Sequence, residues 1–161
     1  MQKFKTCKEC YDSCLANGMI ERKESVNIQR IKSLIENAET NISQADILSN
    51  VIKQEAREWM GVYTDYYEAL RIYTEALLLF EKTTIANHQC LFAYICQNYS
   101  ALNLSWDFLE EIRKKRNGVN YYGEHVTYDD WKMVEAKVKL HISILKQELN
   151  KKLIIFAPKM N

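Results

Sequence analysis

The residues best suited to chemistry form one stretch, Arg113 to Gly123, which carries four consecutive cations and then two tyrosines between glycines. Cations can hold phosphates, and aromatic rings can stack on unstacked bases, so the stretch predicts a small RNA-binding surface. In the alternative interpretation the cations end a helix, where positive charge is favourable against the helix dipole. The residue types alone leave both interpretations open.

The candidate nucleic-acid contacts include the cations, one tyrosine and a nearby histidine. They are Arg113, Lys114, Lys115, Arg116, Tyr122 and His125. Each has a structural alternative: the tyrosines can pack at the end of a helix, and His125 can be an ordinary surface residue. Asn117-Gly118 can equally form a helix cap and a turn.

Composition predicts the elements that must position these residues. The chain has 161 residues and a net charge of +1, which fits one domain spanning 1–161 and argues against a protein that coats nucleic acid wholesale. Four glycines and one proline leave few sharp turns, so long helices are expected. We predict a short helical extension over about residues 1–24, ahead of the main bundle.

Apolar residues recur in steps of three and four along nearly the whole length, which is typical of amphipathic helices. We therefore predict an all-α, antiparallel up-and-down bundle of four to five main helices plus a short N-terminal helix. The predicted helices run from Phe4 to about Asn17, from Ile28 onwards with a break near 41–43 as an alternative, from Trp59 to Lys82, from Asn87 or His88, from Trp106 into the basic cluster, and from Thr127 to about Leu153. A loop is predicted over 118–126.

The five cysteines raise the question of metal or disulfide chemistry. Cys7, Cys10 and Cys14 have the spacing C-x2-C-x3-C, while Cys90 and Cys96 lie far downstream. A structural zinc site needs four ligands, so we predict free, buried or half-exposed thiols in a reducing cell, with no metal and no cofactor.

No apolar run approaches the roughly 18 residues of a membrane span. The first residues, Met-Gln-Lys-Phe-Lys, have no apolar segment behind them that would suggest secretion. We predict a cytoplasmic protein with no membrane partner.

Four segments taken in order resemble HEPN domains, helical domains of prokaryotic toxin–antitoxin, defence and nucleotide-related systems. The segments are Tyr66-Tyr67-Glu68-Ala69-Leu70, 75–82, Asn87-His88-Gln89-Cys90 and 113–123. The last is similar to the HEPN signature in a tyrosine-rich form, and the resemblance covers about Ser25 to Leu149. It implies a bundle of four or five helices that dimerises.

The resemblance also implies a site. In active members an arginine, its polar neighbour and a histidine four to six positions further on form a metal-independent ribonuclease site at the dimer interface. Arg116 and Asn117 match the first two, whereas the histidine positions hold Tyr121, Tyr122 and Gly123. Tyrosine is a poor general base near neutral pH because its unperturbed pKa is about 10. We take Arg116, Asn117 and Tyr121 as the catalytic candidates.

Three functional hypotheses follow. The leading one is a homodimeric HEPN-like protein that binds RNA or a small nucleotidyltransferase-type partner without efficient catalysis. The second is a divergent ribonuclease that uses Arg116 with Tyr121 or His125. The third is a pure interaction module whose interface includes the apolar tail 153–156.

The other two histidines, His88 and His141, are expected to be structural. Glu68 is a potential partner for Arg116.

Overall fold

The computed structural model describes residues 6–156, without the side chains of residues 120–122. These residues form six α-helices and one minimal antiparallel ladder of two strands. The elements in chain order are α1 Cys7–Ala16, β1 Glu21–Arg22, α2 Ile28–Val51, α3 Trp59–Leu79, β2 Thr83–Thr84, α4 His88–Asn98, a 3-10 turn Ser100–Leu102, α5 Trp106–Tyr122 and α6 Tyr128–Phe156. The all-α prediction is confirmed, and helix-to-helix packing arranges the main helices as a bundle.

The third helix, α3, is the centre of the bundle, and it packs against α2, α4, α5 and α6. Apolar residues occur on all faces of α3, as expected for a helix that other helices cover on most sides. Tyr67, Leu70 and Tyr73 are at most 1% exposed. Tyr66 stacks on Trp131 of α6 with ring centroids 4.7 Å apart. Because α3 touches four other helices, its few polar side chains have neighbours from several of them.

Side-chain caps mark the starts of the later helices where the sequence predicts them. The Asn87 carboxamide oxygen accepts hydrogen bonds from the backbone N–H groups of Gln89 and Cys90, at 2.9 and 3.1 Å. Thr127 and Asp130 each accept the other's backbone N–H, at 3.2 and 2.9 Å. Such caps satisfy N–H groups that have no partner inside the helix. They fix the first turn of α4 and of α6.

The structure corrects the prediction in the region of the basic cluster. The predicted loop over 118–126 is wrong at its start, because α5 continues through Gly118 and ends at Tyr122. The chain turns at Gly123, whose φ of +67° suits a glycine. The alternative break near 41–43 is also wrong, since α2 is continuous from Ile28 to Val51.

The prediction that all cysteines are free thiols is wrong for two of them. Cys14 of α1 and Cys90 of α4 form a disulfide, which joins positions 76 residues apart. Cys7, Cys10 and Cys96 remain free. The N-terminal helix is therefore bonded covalently to the bundle, and the β1–β2 pairing of Glu21 with Thr84 holds the segment that follows it.

Within residues 6–156, no helix combines the length and the apolar character that crossing a membrane requires.

Candidate functional site

The first of the four consecutive cations lies in the core. Arg113 is 4% exposed, and its guanidinium donates to both carboxylate oxygens of Glu110, at 2.6 and 3.0 Å. The side-chain amide of Gln89 on α4 donates to the same carboxylate at 2.9 Å. A buried guanidinium held by two carboxylate oxygens has a structural function, because leaving either charge alone would cost several kcal/mol. Arg113 is thus poorly placed for the phosphate contact that the sequence suggests.

One turn further along α5, Arg116 reaches a different helix. Its Nη2 donates to Glu68 Oε1 on α3 at 2.7 Å, across 48 residues of sequence. The guanidinium carbon lies 5.5 Å from the centre of the Tyr67 ring, a distance at which a cation is attracted to an aromatic face. The Arg116 side chain keeps 17% of its surface exposed. The expected partnership with Glu68 is confirmed.

Glu68 is the hub of a wider group, which we call the Glu68 cluster. Its members are Arg30, Glu68, Arg71, Glu75 and Arg116. The second carboxylate oxygen of Glu68 accepts from Arg71 Nε at 2.7 Å. Arg71 also donates to Glu75 at 3.0 Å, and Arg30 of α2 lies 3.5 Å from the other oxygen of Glu75. Three arginines from three helices therefore surround two glutamates.

A histidine that the sequence predicted to be structural lies beside this cluster. His88, at the first position of α4, is half-buried, and its Nδ1 lies 2.9 Å from the Tyr67 hydroxyl. Burial lowers the pKa of His88, and the positive charge of Arg71 lowers it further. The ring is consequently neutral near pH 7, the form in which imidazole can accept a proton. Burial also raises the pKa of Tyr67, so this tyrosine stays protonated.

His88 is the functional candidate that sequence reasoning missed. The available signal was its place in the segment Asn87-His88-Gln89-Cys90, which belongs to the resemblance described above. Its proximity to Arg116 depends on how α4 and α5 both pack on α3, and no local pattern reveals that. The structural role expected for His88 stays a prediction. His141 has the structural contacts expected of it, since its two ring nitrogens bond the backbone of Ser105 and Lys137 at 3.1 and 2.8 Å.

The other predicted site residues are not members of the Glu68 cluster. Lys114 is exposed and lies 3.8 Å from Glu110, and Lys115 lies 3.4 Å from Asp130 of α6. His125 is exposed in the loop after α5. Asn117, next to Arg116, is half-buried. The side chains of Tyr121 and Tyr122 lie outside the part that the structure describes.

The chemistry available to the Glu68 cluster is that of a weak anion site. Its three guanidinium groups and two carboxylates carry one net positive charge at partly exposed groups, which the nearby carboxylate of Asp65 offsets in part. Guanidinium groups suit phosphate oxygens because their donors match them in pairs. Among the described residues, no group of three or more His, Cys, Asp or Glu side chains could hold a metal ion.

Comparison with known proteins returns no relative: no protein-family model, no curated protein and no solved structure matches this chain.

Proposed function

We propose that this protein is a HEPN-like, dimeric helical protein that binds RNA through its phosphates at the Glu68 cluster, without efficient catalysis. One observation carries the proposal: Arg116, the arginine matched to the HEPN signature, meets Arg71 on a shared carboxylate at a partly exposed site. A phosphate oxygen resembles a carboxylate oxygen as a hydrogen-bond acceptor. An RNA phosphate would replace part of the Glu68 contact and use the net positive charge.

Weak rather than tight binding follows from the same contacts. Each arginine of the cluster already has a carboxylate partner, so a phosphate must compete with Glu68 or Glu75. A dimer, which the resemblance to HEPN domains implies, would present two such clusters and increase affinity by avidity. The same resemblance also implies a nucleotidyltransferase-type partner protein.

The test is binding of a fluorescent single-stranded RNA at low salt, with EDTA present, read by anisotropy. For Arg116→Ala we expect roughly tenfold weaker binding and a shallower salt dependence, because one phosphate contact is lost. The matched control is Arg57→Ala, which removes an exposed arginine from the segment between α2 and α3. Undetectable binding of the unaltered protein, or equal losses in the two variants, would reject the proposal.

A second candidate function, metal-independent RNA cleavage, is favoured by the position of His88. Cleavage through the 2′-hydroxyl of RNA needs a base near neutral pH and a fixed cation for the developing phosphorane charge. The neutral His88 and Arg116, both in contact with Tyr67, supply these two groups. This arrangement would replace the missing signature histidine with one from α4.

The same RNA preparation, followed over time on a gel with EDTA present, tests this candidate. Cleavage that disappears in both His88→Ala and Arg116→Ala, and survives in His125→Ala, would establish it. Intact RNA with all proteins would leave binding as the function.

A further inference from the structure

The contact between α1 and α4 contains every cysteine of the chain. Cys14 is bonded to Cys90 near the start of α4, and the Cys10 thiol points to the carbonyl of Gln89 at 4.0 Å. Further back along α1, the Cys7 thiol donates to the carbonyl of Ala93 at 3.5 Å. From Cys14–Cys90 to Cys7–Ala93 the contact moves forward along α4 and backward along α1, so the two helices are antiparallel.

This antiparallel register brings a second pair of cysteines together. Cys7 stands seven residues before Cys14, and Cys96 stands six residues after Cys90. At 1.5 Å per residue, these separations are about 10.5 Å and about 9 Å, which nearly match. The Cys7 thiol meets the carbonyl of Ala93 at 3.5 Å, and Cys96 follows Ala93 by about one turn, on the same face of α4. The Cys96 thiol itself donates to the carbonyl of Leu104 at 3.7 Å. The register therefore places Cys7 and Cys96 opposite each other, about two turns from the disulfide along the same interface.

The three free cysteines differ in solvent exposure and in acidity. Cys7 and Cys96 are both partly exposed, whereas Cys10 is fully buried. The neighbouring Cys96 lowers the pKa of Cys7, against the effect of burial, while Cys7 and burial both raise the pKa of Cys96. Burial raises the pKa of Cys10 to about 11. Since the thiolate is the reactive form, Cys7 is the thiol that attacks first, whereas Cys10 and Cys96 are mostly protonated while all three thiols are free.

We propose that Cys7 and Cys96 are a second, redox-responsive disulfide pair, which closes by exchange with a small-molecule disulfide of the glutathione class. The Cys7 thiolate attacks one sulfur of that disulfide, forms a mixed disulfide and expels one small thiolate. Deprotonated Cys96 then attacks the Cys7 sulfur and expels the second. The protein loses two protons and two electrons, and the small disulfide is reduced to two thiols.

Closure would join α1 to α4 at both ends of their contact. The helix so held, α4, carries His88 at its first position and Gln89 in the buried Arg113 network. The pair thus connects the redox state of the surroundings to the helix that completes the candidate site.

The experiment incubates the full-length protein with oxidised glutathione, quenches it with acid, alkylates it in denaturant and counts thiols by intact mass. The untreated protein has three free cysteines. After treatment we expect one alkylated thiol, Cys10, and a Cys7–Cys96 cross-linked peptide after proteolysis. The Cys96→Ser variant should instead keep one glutathione on Cys7, because the second step is blocked.

The matched control is Cys10→Ser, which removes the buried thiol and should still lose both remaining thiols on oxidation. The proposal is overturned if the unaltered protein keeps three thiols. It is also overturned if glutathione stays attached to Cys7 while Cys96 is still alkylated. Equal behaviour of the Cys7→Ser variant and the unaltered protein would overturn it as well.

Discussion

Arg113 and Arg116 stand three residues apart on α5, and each is held by a glutamate, yet their surroundings differ. Arg113 is buried and pairs with Glu110 of its own helix, while Gln89 completes the group. Arg116 pairs with Glu68 of α3 at a partly exposed site, where Arg71 shares the same carboxylate. Two neighbours in one basic run therefore belong to two separate networks.

The difference shows how burial divides similar residues into structural and functional ones. A buried pair is costly to break, because the remaining charge has no water to solvate it. A partly exposed pair exchanges partners at low cost, because water and other anions are available. By this argument Arg113 stabilises the junction of α4 and α5, and Arg116 is the one that a ligand could take over.

The largest expected effect comes from breaking the buried network. Arg113→Ala leaves the carboxylate of Glu110 buried without its guanidinium, so we expect the free energy of unfolding to fall by about 3–5 kcal/mol. Urea denaturation followed by circular dichroism measures this. The double variant E110M/R113M removes both charges and should recover much of the loss. A single variant as stable as the unaltered protein would show that Arg113 is not structural.

Breaking the partly exposed pair of Arg116 and Glu68 should cost much less. In Arg116→Ala, Glu68 keeps its bond to Arg71, and its side chain is 20% exposed. We expect a loss of about 1 kcal/mol or less, measured in the same urea titration. A loss equal to that of Arg113→Ala would remove the distinction between the two networks, and with it the argument that Arg116 is available to a ligand.

The smallest effect concerns pH, and it tests the protonation state of His88. Burial lowers its pKa in the folded protein below the ordinary value of 6.5, so the unfolded chain binds the proton more readily. Its contribution to stability is therefore full above about pH 6.5 and is lost as the pH falls towards the folded pKa. His141 follows the same direction, because burial lowers its pKa too.

Urea midpoints measured from about pH 7.5 down to about pH 5.5 would show this decline before the carboxylates titrate. His88→Gln should flatten part of the slope. A slope that is the same in this variant and in the unaltered protein would show that burial does not lower the pKa of His88.

Much of the fold was predictable because helices are local. The spacing of apolar residues and caps such as Asn87 and Thr127 depend on neighbours within a few positions, and these predictions are confirmed. The exception is the end of α5, where Gly118 and Gly123 look alike in sequence. A glycine inside a helix lowers helix stability by only about 1 kcal/mol, which packing contacts can compensate. The helix therefore continues through Gly118, and the chain turns at Gly123.

The sequence alone determined the all-α class, most helix boundaries and the identity of Arg116 as a candidate. The HEPN family, the dimer, the RNA or nucleotidyltransferase partner and a cytoplasmic location stay predictions. Tertiary structure alone decided that Arg113 is buried, that His88 and Arg116 both contact Tyr67, and that Cys14 bonds Cys90. The physical reason is distance along the chain: these contacts join separate helices, and only the packing of those helices on α3 and on α4 brings their side chains within reach.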